Sequence, residues 1–265
     1  MDFGAALLFP FQWLVSAIMV GLHDGLSAIG LPAAGGWTWT LSIIGLVLVI
    51  RAALIPVSRK QIKAQRRMRQ LQPDLKKLQD KYHGQTDPLS RQAMAQEQMA
   101  LYKEHGTNPF SACLPLLVQV PFFFALFTVL SGIPTAAAKG RGIGAMSAEQ
   151  VVQFGESTIL GAPLSASLLH GAPEGDSVVA VWILSAVMIL TMTAAQFVTQ
   201  KHIMARSATA ETMAGPFLRQ QKILLYVLPI VFGAGGIIFP IGVLIYWTTT
   251  NLWTMVQQFV LDPSS

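Results

Sequence analysis

Five apolar stretches that approach or reach the length of a membrane span, separated by polar segments, constrain this chain more than any other feature in it. An α-helix rises about 1.5 Å per residue, so roughly 20 apolar residues cross a hydrocarbon core about 30 Å thick. Only 12% of the 265 residues are charged and 52% are hydrophobic, too sparse a charge for a soluble domain of this size. The expected fold class is an all-α polytopic membrane protein.

Residues 1–36 are expected to form an extracytoplasmic N-terminal segment. Between residues 9 and 30, Phe11, Leu14, Ile18, Leu22, Leu26 and Ile29 follow helical spacing while Gln12, Ser16, His23 and Ser27 fall on other faces. That pattern predicts an amphipathic helix lying on the membrane surface, with His23 and Asp24 as wet surface groups. The first 50 residues hold no Lys or Arg, so the cationic leader of a signal peptide is missing and the N-terminus is expected to be retained. The single cysteine, Cys113, excludes an intramolecular disulfide, a Cys-based zinc site and a lipid-modified cysteine near the start, and reads as a small packed residue.

The first span is expected over 37–58, with Trp37 and Trp39 as interface anchors and Arg51 as its one charge. Residues 59–108 hold eleven basic residues against five acids. Met68, Leu71, Leu75, Leu78 and Tyr82 repeat at three- and four-residue spacing there, and a turn near His83–Pro88 precedes a second helical run ending near Glu104. The economical reading is a basic helical hairpin. The second span follows over 109–133, opened by Asn108 and Pro109 as cap and first-turn proline and bent at Pro115 and Pro121. An external loop with a short interfacial helix is expected over 134–177. The third span covers 178–200, a flexible inside loop 201–222, the fourth span 223–238, and the fifth 239–261 with a short tail. Basic residues in successive connecting segments number zero, eleven, two, four and zero, which places the N-terminus outside, the C-terminus inside and the hairpin in the cytoplasm.

Arg51 is the sharpest chemical signal. An ionised guanidinium inside a transmembrane helix costs from about 2.5 to above 10 kcal/mol, so its charge must reach water or a partner. Two readings stand on position alone. Arg51 is within two turns of Ser58, so its head can snorkel to the interface; or it faces a water-filled cavity among the spans. Gln119, Gln196 and Gln200, with Thr248, Thr249, Thr250 and Asn251, can line such a cavity, although each alone reads as an interhelical hydrogen bond. No span offers Arg51 an acidic partner, which favours hydration over a dry ion pair. Trp253 reads as an interfacial or packing group, but Tyr246 and Trp247 fall near mid-span, where belt aromatics are not expected.

No catalytic constellation emerges. The chain has no His/Glu zinc motif, no G-x-S-x-G, no phosphate-binding glycine loop and no intramembrane carboxylate pair, so neither a metal nor a cofactor is expected. A channel or transporter would show a continuous polar path and internal repeats, and an intramembrane protease a Ser/His or Asp/Asp pair; the sequence has neither. A structural scaffold remains as the alternative. The basic hairpin directly follows a span, so its expected contacts are anionic lipid, ribosome or a partner protein rather than nucleic acid.

Four passages in the right order resemble the YidC/Oxa/Alb family of membrane insertases: SIIGLVLVIRAALIPVSRKQ (Ser42–Gln61), MRQLQPDLKKLQDKY (Met68–Tyr82), ALYKEHGTNPFSACLPLLVQVPFFFALF (Ala100–Phe127) and FPIGVLIYWTTTNLWTMVQQ (Phe239–Gln258). The resemblance implies five core helices with a cytoplasmic hairpin between the first two, in a bacterial cell membrane. It also implies a hydrophilic groove, open to cytoplasm and bilayer and closed outward, that holds an arginine matching Arg51. Gln196 and Trp247 match groove positions of the third and fifth spans, and the expected groove set is Arg51, Gln119, Gln196, Gln200, Trp247, Thr250 and Asn251. The implied partners are nascent membrane proteins, with the Sec translocon, and ribosome or signal recognition machinery at the hairpin. The chain looks like a compact actinobacterial-type member: the large periplasmic domain of Gram-negative members and a lipobox cysteine have no counterpart. Val47 stands where many members carry a polar residue one turn before the arginine. The basic tail that some relatives use for ribosome binding has no counterpart after Leu261.

Overall fold

The computed structural model describes residues 3–85, 87–106, 114–169, 176–207, 227, 231 and 233–261. Cys113, the Asn108–Pro109 cap, most of the 201–222 loop and half of the expected fourth span lie outside them. The described helices are α1 (Phe3–Ala28), α2 (Gly36–Ala53), α3 (Ile55–Lys81), α4 (Pro88–Glu104), α5 (Leu114–Ala138), α6 (Ala148–Glu156), α7 (Asp176–Ser207) and α8 (Ile241–Leu261); the two-residue strands β1 (Thr158–Ile159) and β2 (Ala162–Pro163) form a small antiparallel ladder. Helix α8 follows the short turn over Gly236–Pro240.

Among the described residues, four helices are long and apolar enough to cross a membrane: Leu7–Ala28, Gly36–Ala53, Gln119–Ala138 and Ser177–Ile203. The N-terminal helix is thus of spanning length and composition. Helix α8 falls short because Thr248, Thr249, Thr250, Asn251, Gln257 and Gln258 dilute its apolar face.

The N-terminal helix corrects one expectation from the sequence. Its buried stripe is Val15, Ser16, Met19 and His23, turned toward α2 and α5, while Leu14 and Ile29 are exposed. His23 is only 2% exposed, not a wet surface group. In a bilayer the polar face of a helix gains by turning to protein partners, because lipid satisfies no hydrogen bond. His23 Nε2 meets the Ala33 carbonyl oxygen at 2.8 Å, Nδ1 lies 3.2 Å from Asp24 Oδ1, and the ring stacks on Trp39 at 3.8 Å. Trp39 is therefore a fully buried packing residue rather than an interface anchor, with Phe154 edge-on to it at 5.3 Å. Trp37 is 56% exposed and remains free to meet the interface.

Helix α2 ends earlier than the expected span. Pro56 has no N–H to continue the helical ladder, so α2 ends at Ala53, the chain turns at Leu54, and Pro56 sits in the first turn of α3, where no N–H is needed. Helix α3 then carries the basic run through to Lys81, a turn follows over Tyr82–Gly84, and Asp87 caps α4 by accepting from the Ser90 amide at 2.8 Å. Lys81 Nζ bonds both carboxylate oxygens of Glu97, at 2.7 and 2.8 Å, and Tyr82 donates to Glu97 at 2.8 Å, so one α4 carboxylate pins the end of α3.

The segment between α5 and α7 packs over one end of the helices. Helix α6 starts with a full capping box, Ser147 and Gln150 bonding each other's backbone amides. Ser16 Oγ accepts from the Ala145 amide at 2.8 Å, Ser157 donates to the Ala34 carbonyl at 3.1 Å, and the Ile241 and Gly242 amides donate to Ala166 and Leu164 at 2.9 Å. The last pair satisfies the open N-terminus of α8 with loop carbonyls. Phe154, Val151, Ile159, Leu164 and Trp39 fill the space beneath, all buried. Gly36 is required there, because a Cβ would collide with the Thr158 backbone. This end of the molecule is packed shut.

Candidate functional site

Away from the closed end, α2, α5 and α8 converge on a polar cluster. Arg51 lies in the last turn of α2 and is half-buried. It is within electrostatic reach of Tyr246 on α8. Among the described residues it has no carboxylate partner, and its guanidinium donates no hydrogen bond to protein. Gln119 Nε2, on α5, donates to the Tyr246 hydroxyl at 2.7 Å. Thr250 stands one turn beyond Tyr246 on the same face of α8, close to that hydroxyl; its own Oγ1 is buried without a partner in hydrogen-bonding geometry.

Three of the seven expected groove residues, Arg51, Gln119 and Thr250, therefore gather around Tyr246. The sequence singled out Tyr246 for its depth but left it out of the groove set. Its signal was the four-residue spacing to Thr250, which puts a phenol and a hydroxyl on one helical face. Val47, one turn before Arg51, is buried, so the wall above the arginine is apolar.

The other four residues are placed differently. Trp247 packs in an aromatic group, its ring 5.2 Å from Phe123 and 5.2 Å from Phe239. Asn251 Nδ2 donates back to the Trp247 carbonyl at 2.9 Å within its own helix. Gln196 and Gln200 are half-buried on α7, beside the buried stripe of Met192, Ala195 and Thr199. Thr248 reaches α7 through the Met188 carbonyl at 3.4 Å. Among the described residues no group of three His, Cys, Asp or Glu side chains is arranged to hold a metal ion. What the cluster offers is an uncompensated cation with hydrogen-bonding groups beside it.

The family model described as 60Kd inner membrane protein matches residues 31–264. The chain belongs to this family. It is similar to proteins named membrane protein insertase YidC: that of Streptomyces avermitilis at 44% identity over 96% of this chain, that of Tropheryma whipplei at 39% over 98%, and that of Bifidobacterium longum at 34% over 95%. The chain spans 58% of the Streptomyces relative's length, 84% of the Tropheryma relative's and 73% of the Bifidobacterium relative's. The members of this inner-membrane family are bacterial here, and several helices of the chain are built to span a bilayer.

Proposed function

We propose that the chain is a membrane protein insertase whose polar cluster draws the hydrophilic part of a nascent membrane protein partway into the bilayer. The observation that carries the reading is the half-buried, unpaired guanidinium of Arg51 beside Tyr246, Gln119 and Thr250. Five guanidinium N–H donors without protein acceptors need water or a substrate, because an unsatisfied charge in a low-dielectric medium is costly. Hydration at this depth shortens the dry distance that a polar segment must travel. An acidic segment gains further from the charge itself.

The topology that fits has α1 beside lipid on the outward side, packed against α2 and α5, core spans over 37–58, 109–133, 178–200, 223–238 and 239–261, and the α3–α4 pair in the cytoplasm. The packed loop end then faces outward. In that arrangement Gln196, Gln200, Trp247 and Asn251 continue the groove toward α7, and the hairpin receives nascent chains or the machinery that delivers them, with the Sec translocon as a further partner. The substrate's apolar helix leaves sideways into lipid, where burial at about 25 cal/mol per Å² supplies tens of kcal/mol for a helix of about 20 residues. No nucleotide is required.

The test is insertion of a small single-span substrate with an acidic N-terminal tail into liposomes containing the protein, comparing wild type with Arg51→Ala and Arg51→Lys. Loss with Ala and retention with Lys supports a positive charge acting on substrate. Equal insertion by all three removes Arg51 from the mechanism, and insertion no greater than in empty liposomes removes the insertase reading.

A further inference from the structure

Outside the polar cluster, the start of α3 and the end of α8 enclose a continuous crevice of graded character. Its cationic part, about 450 Å³, is lined by Arg59, Ile62, Lys63 and Arg66 from α3 and by Val260 and Leu261 from α8. Its mostly apolar part, about 250 Å³, shares Arg59, Val260 and Leu261 and adds Ile55, Trp253, Val256 and Gln257. The gradient follows from sequence. Ile55, Arg59, Lys63 and Arg66 recur at four-, four- and three-residue steps, so a single face of α3 changes from apolar to cationic along its length. Trp253, Val256 and Val260 supply the facing apolar wall on α8, with Val256 and Val260 more than half exposed.

We infer that this crevice binds one anionic phospholipid, its phosphate held by Arg59 and Lys63 and an acyl chain lying along Ile55, Trp253 and Val256. Both cations are exposed, and neither has a carboxylate partner among the described residues. Arg66 donates to the Leu261 carbonyl at 2.9 Å and so ties the two walls of the crevice together. Trp253 Nε1 donates to Gln257 at 2.8 Å, which holds the indole against the crevice wall. A free phosphate would use only the cationic part and an apolar guest only the other. The continuity of the two parts selects a ligand with a negative head and a hydrocarbon tail, and the site lies where an apolar helix gives way to a basic one, at the depth of lipid headgroups. The inference does not depend on the role of Arg51.

The experiment is native mass spectrometry of the full chain in detergent with added dioleoyl phosphatidylglycerol or dioleoyl phosphatidylcholine, with inorganic phosphate and an acidic peptide as competitors. Wild type should retain the phosphatidylglycerol in preference to the phosphatidylcholine. Arg59→Gln with Lys63→Gln should weaken that binding about tenfold, since each cation near an anionic lipid contributes substantially to attraction. Val256→Trp, which fills the apolar part and leaves the charge unchanged, should weaken it as well. Lys76→Gln with Lys77→Gln, the same charge change elsewhere on α3, should leave it intact; equal loss there would mean diffuse attraction and overturn the site. Displacement by inorganic phosphate, together with indifference to Val256→Trp, would make it a phosphate site. Displacement by the acidic peptide would make it a polypeptide site, and either result overturns the lipid assignment. Thermal unfolding of each variant establishes that folded proteins are compared.

Discussion

Gln119 on α5 and Tyr246 on α8 are 127 residues apart in sequence and joined by a 2.7 Å hydrogen bond in which the amide donates to the phenol. The pair closes one side of the space around Arg51 and leaves the Tyr246 hydroxyl a proton to donate onward. Tyr246→Phe removes the acceptor for Gln119 and the hydroxyl beside Arg51 while keeping the ring that packs 6.4 Å from Phe123. Interhelical hydrogen bonds in membranes contribute about 1 kcal/mol, so the folded protein should survive in detergent with a slightly lowered Tm. Insertion activity per folded molecule should fall by more than that loss explains. Activity equal to wild type at matched protein levels would make the bond a structural tie alone.

His23 offers a sharper stability prediction. The ring is stacked between α1 and α2 on Trp39, with the Ala33 carbonyl at Nε2. His23→Ala removes an aromatic contact and a hydrogen bond and opens a cavity against Trp39, which together should cost about 2–4 kcal/mol. His23→Phe keeps the stack and should recover part of the loss. Unfolding of the purified protein by denaturant in micelles, followed by tryptophan fluorescence, measures both. A His23→Ala protein as stable as wild type would contradict the packing seen around Trp39.

His23 also marks the limit of what local sequence pattern determines. The long apolar runs around Leu41–Ile50 and Val178–Thr199, and the turn between two basic helices, follow from composition and periodicity alone, since span length and turn residues are local properties. Which face of α1 is buried does not. In water the apolar stripe of an amphipathic helix turns inward; beside lipid the polar stripe with Ser16 and His23 turns toward protein, so one pattern supports opposite readings. The place of Trp39 at a span's end suggests a belt residue, and only the packing of Phe154 and His23 over it reveals the burial. In the polar cluster, Arg51, Gln119 and Thr250 were legible as polar groups in apolar spans. Their meeting around Tyr246 depends on helix rotation and register across α2, α5 and α8, which spacing within a single helix does not encode.

At Gly36 the prediction concerns the closed end. The position begins α2, where an Ala would ordinarily help a helix by up to about 1 kcal/mol. A Cβ there collides with backbone atoms of Thr158 in β1, and backbone cannot swing aside as a flexible side chain can. Gly36→Ala should therefore destabilise by about 1–3 kcal/mol and raise amide exchange across Ser157–Leu164, where the Leu164 amide bonds the Ser157 carbonyl at 3.0 Å. Gly25→Ala, on α1 with open space around its Cβ position, is the control and should be neutral or stabilising. If the two substitutions act alike, the close approach of β1 to α2 is wrong.

The α3–α4 pair should respond to pH through Glu97, which lies outside the spans. Hydrogen bonds from Lys81 and then Tyr82 hold its carboxyl below the ordinary value of 4.5, and the same carboxylate holds Lys81 above its ordinary 10.5. A carboxyl whose folded pKa is depressed contributes stability that is fully present above the unfolded value and lost as pH falls through the folded one. A lysine whose folded pKa is raised contributes stability present below its unfolded value and lost as pH rises through the folded one. The contact should therefore be intact from about pH 5 to pH 10 and loosen on either side. Lys81 and Glu97 are exposed and Tyr82 half-buried, so the change should be local to the helix ends and weaker at high salt. A pair of spin labels on the half-buried Gln79 and the exposed Met99, read as a distance distribution, should broaden between pH 5 and pH 3 in wild type, and Glu97→Gln should show the broadened form already at pH 7. A distribution unchanged across that range in wild type would mean that apolar packing of α3 on α4, and not the Glu97 cluster, holds the two helices together.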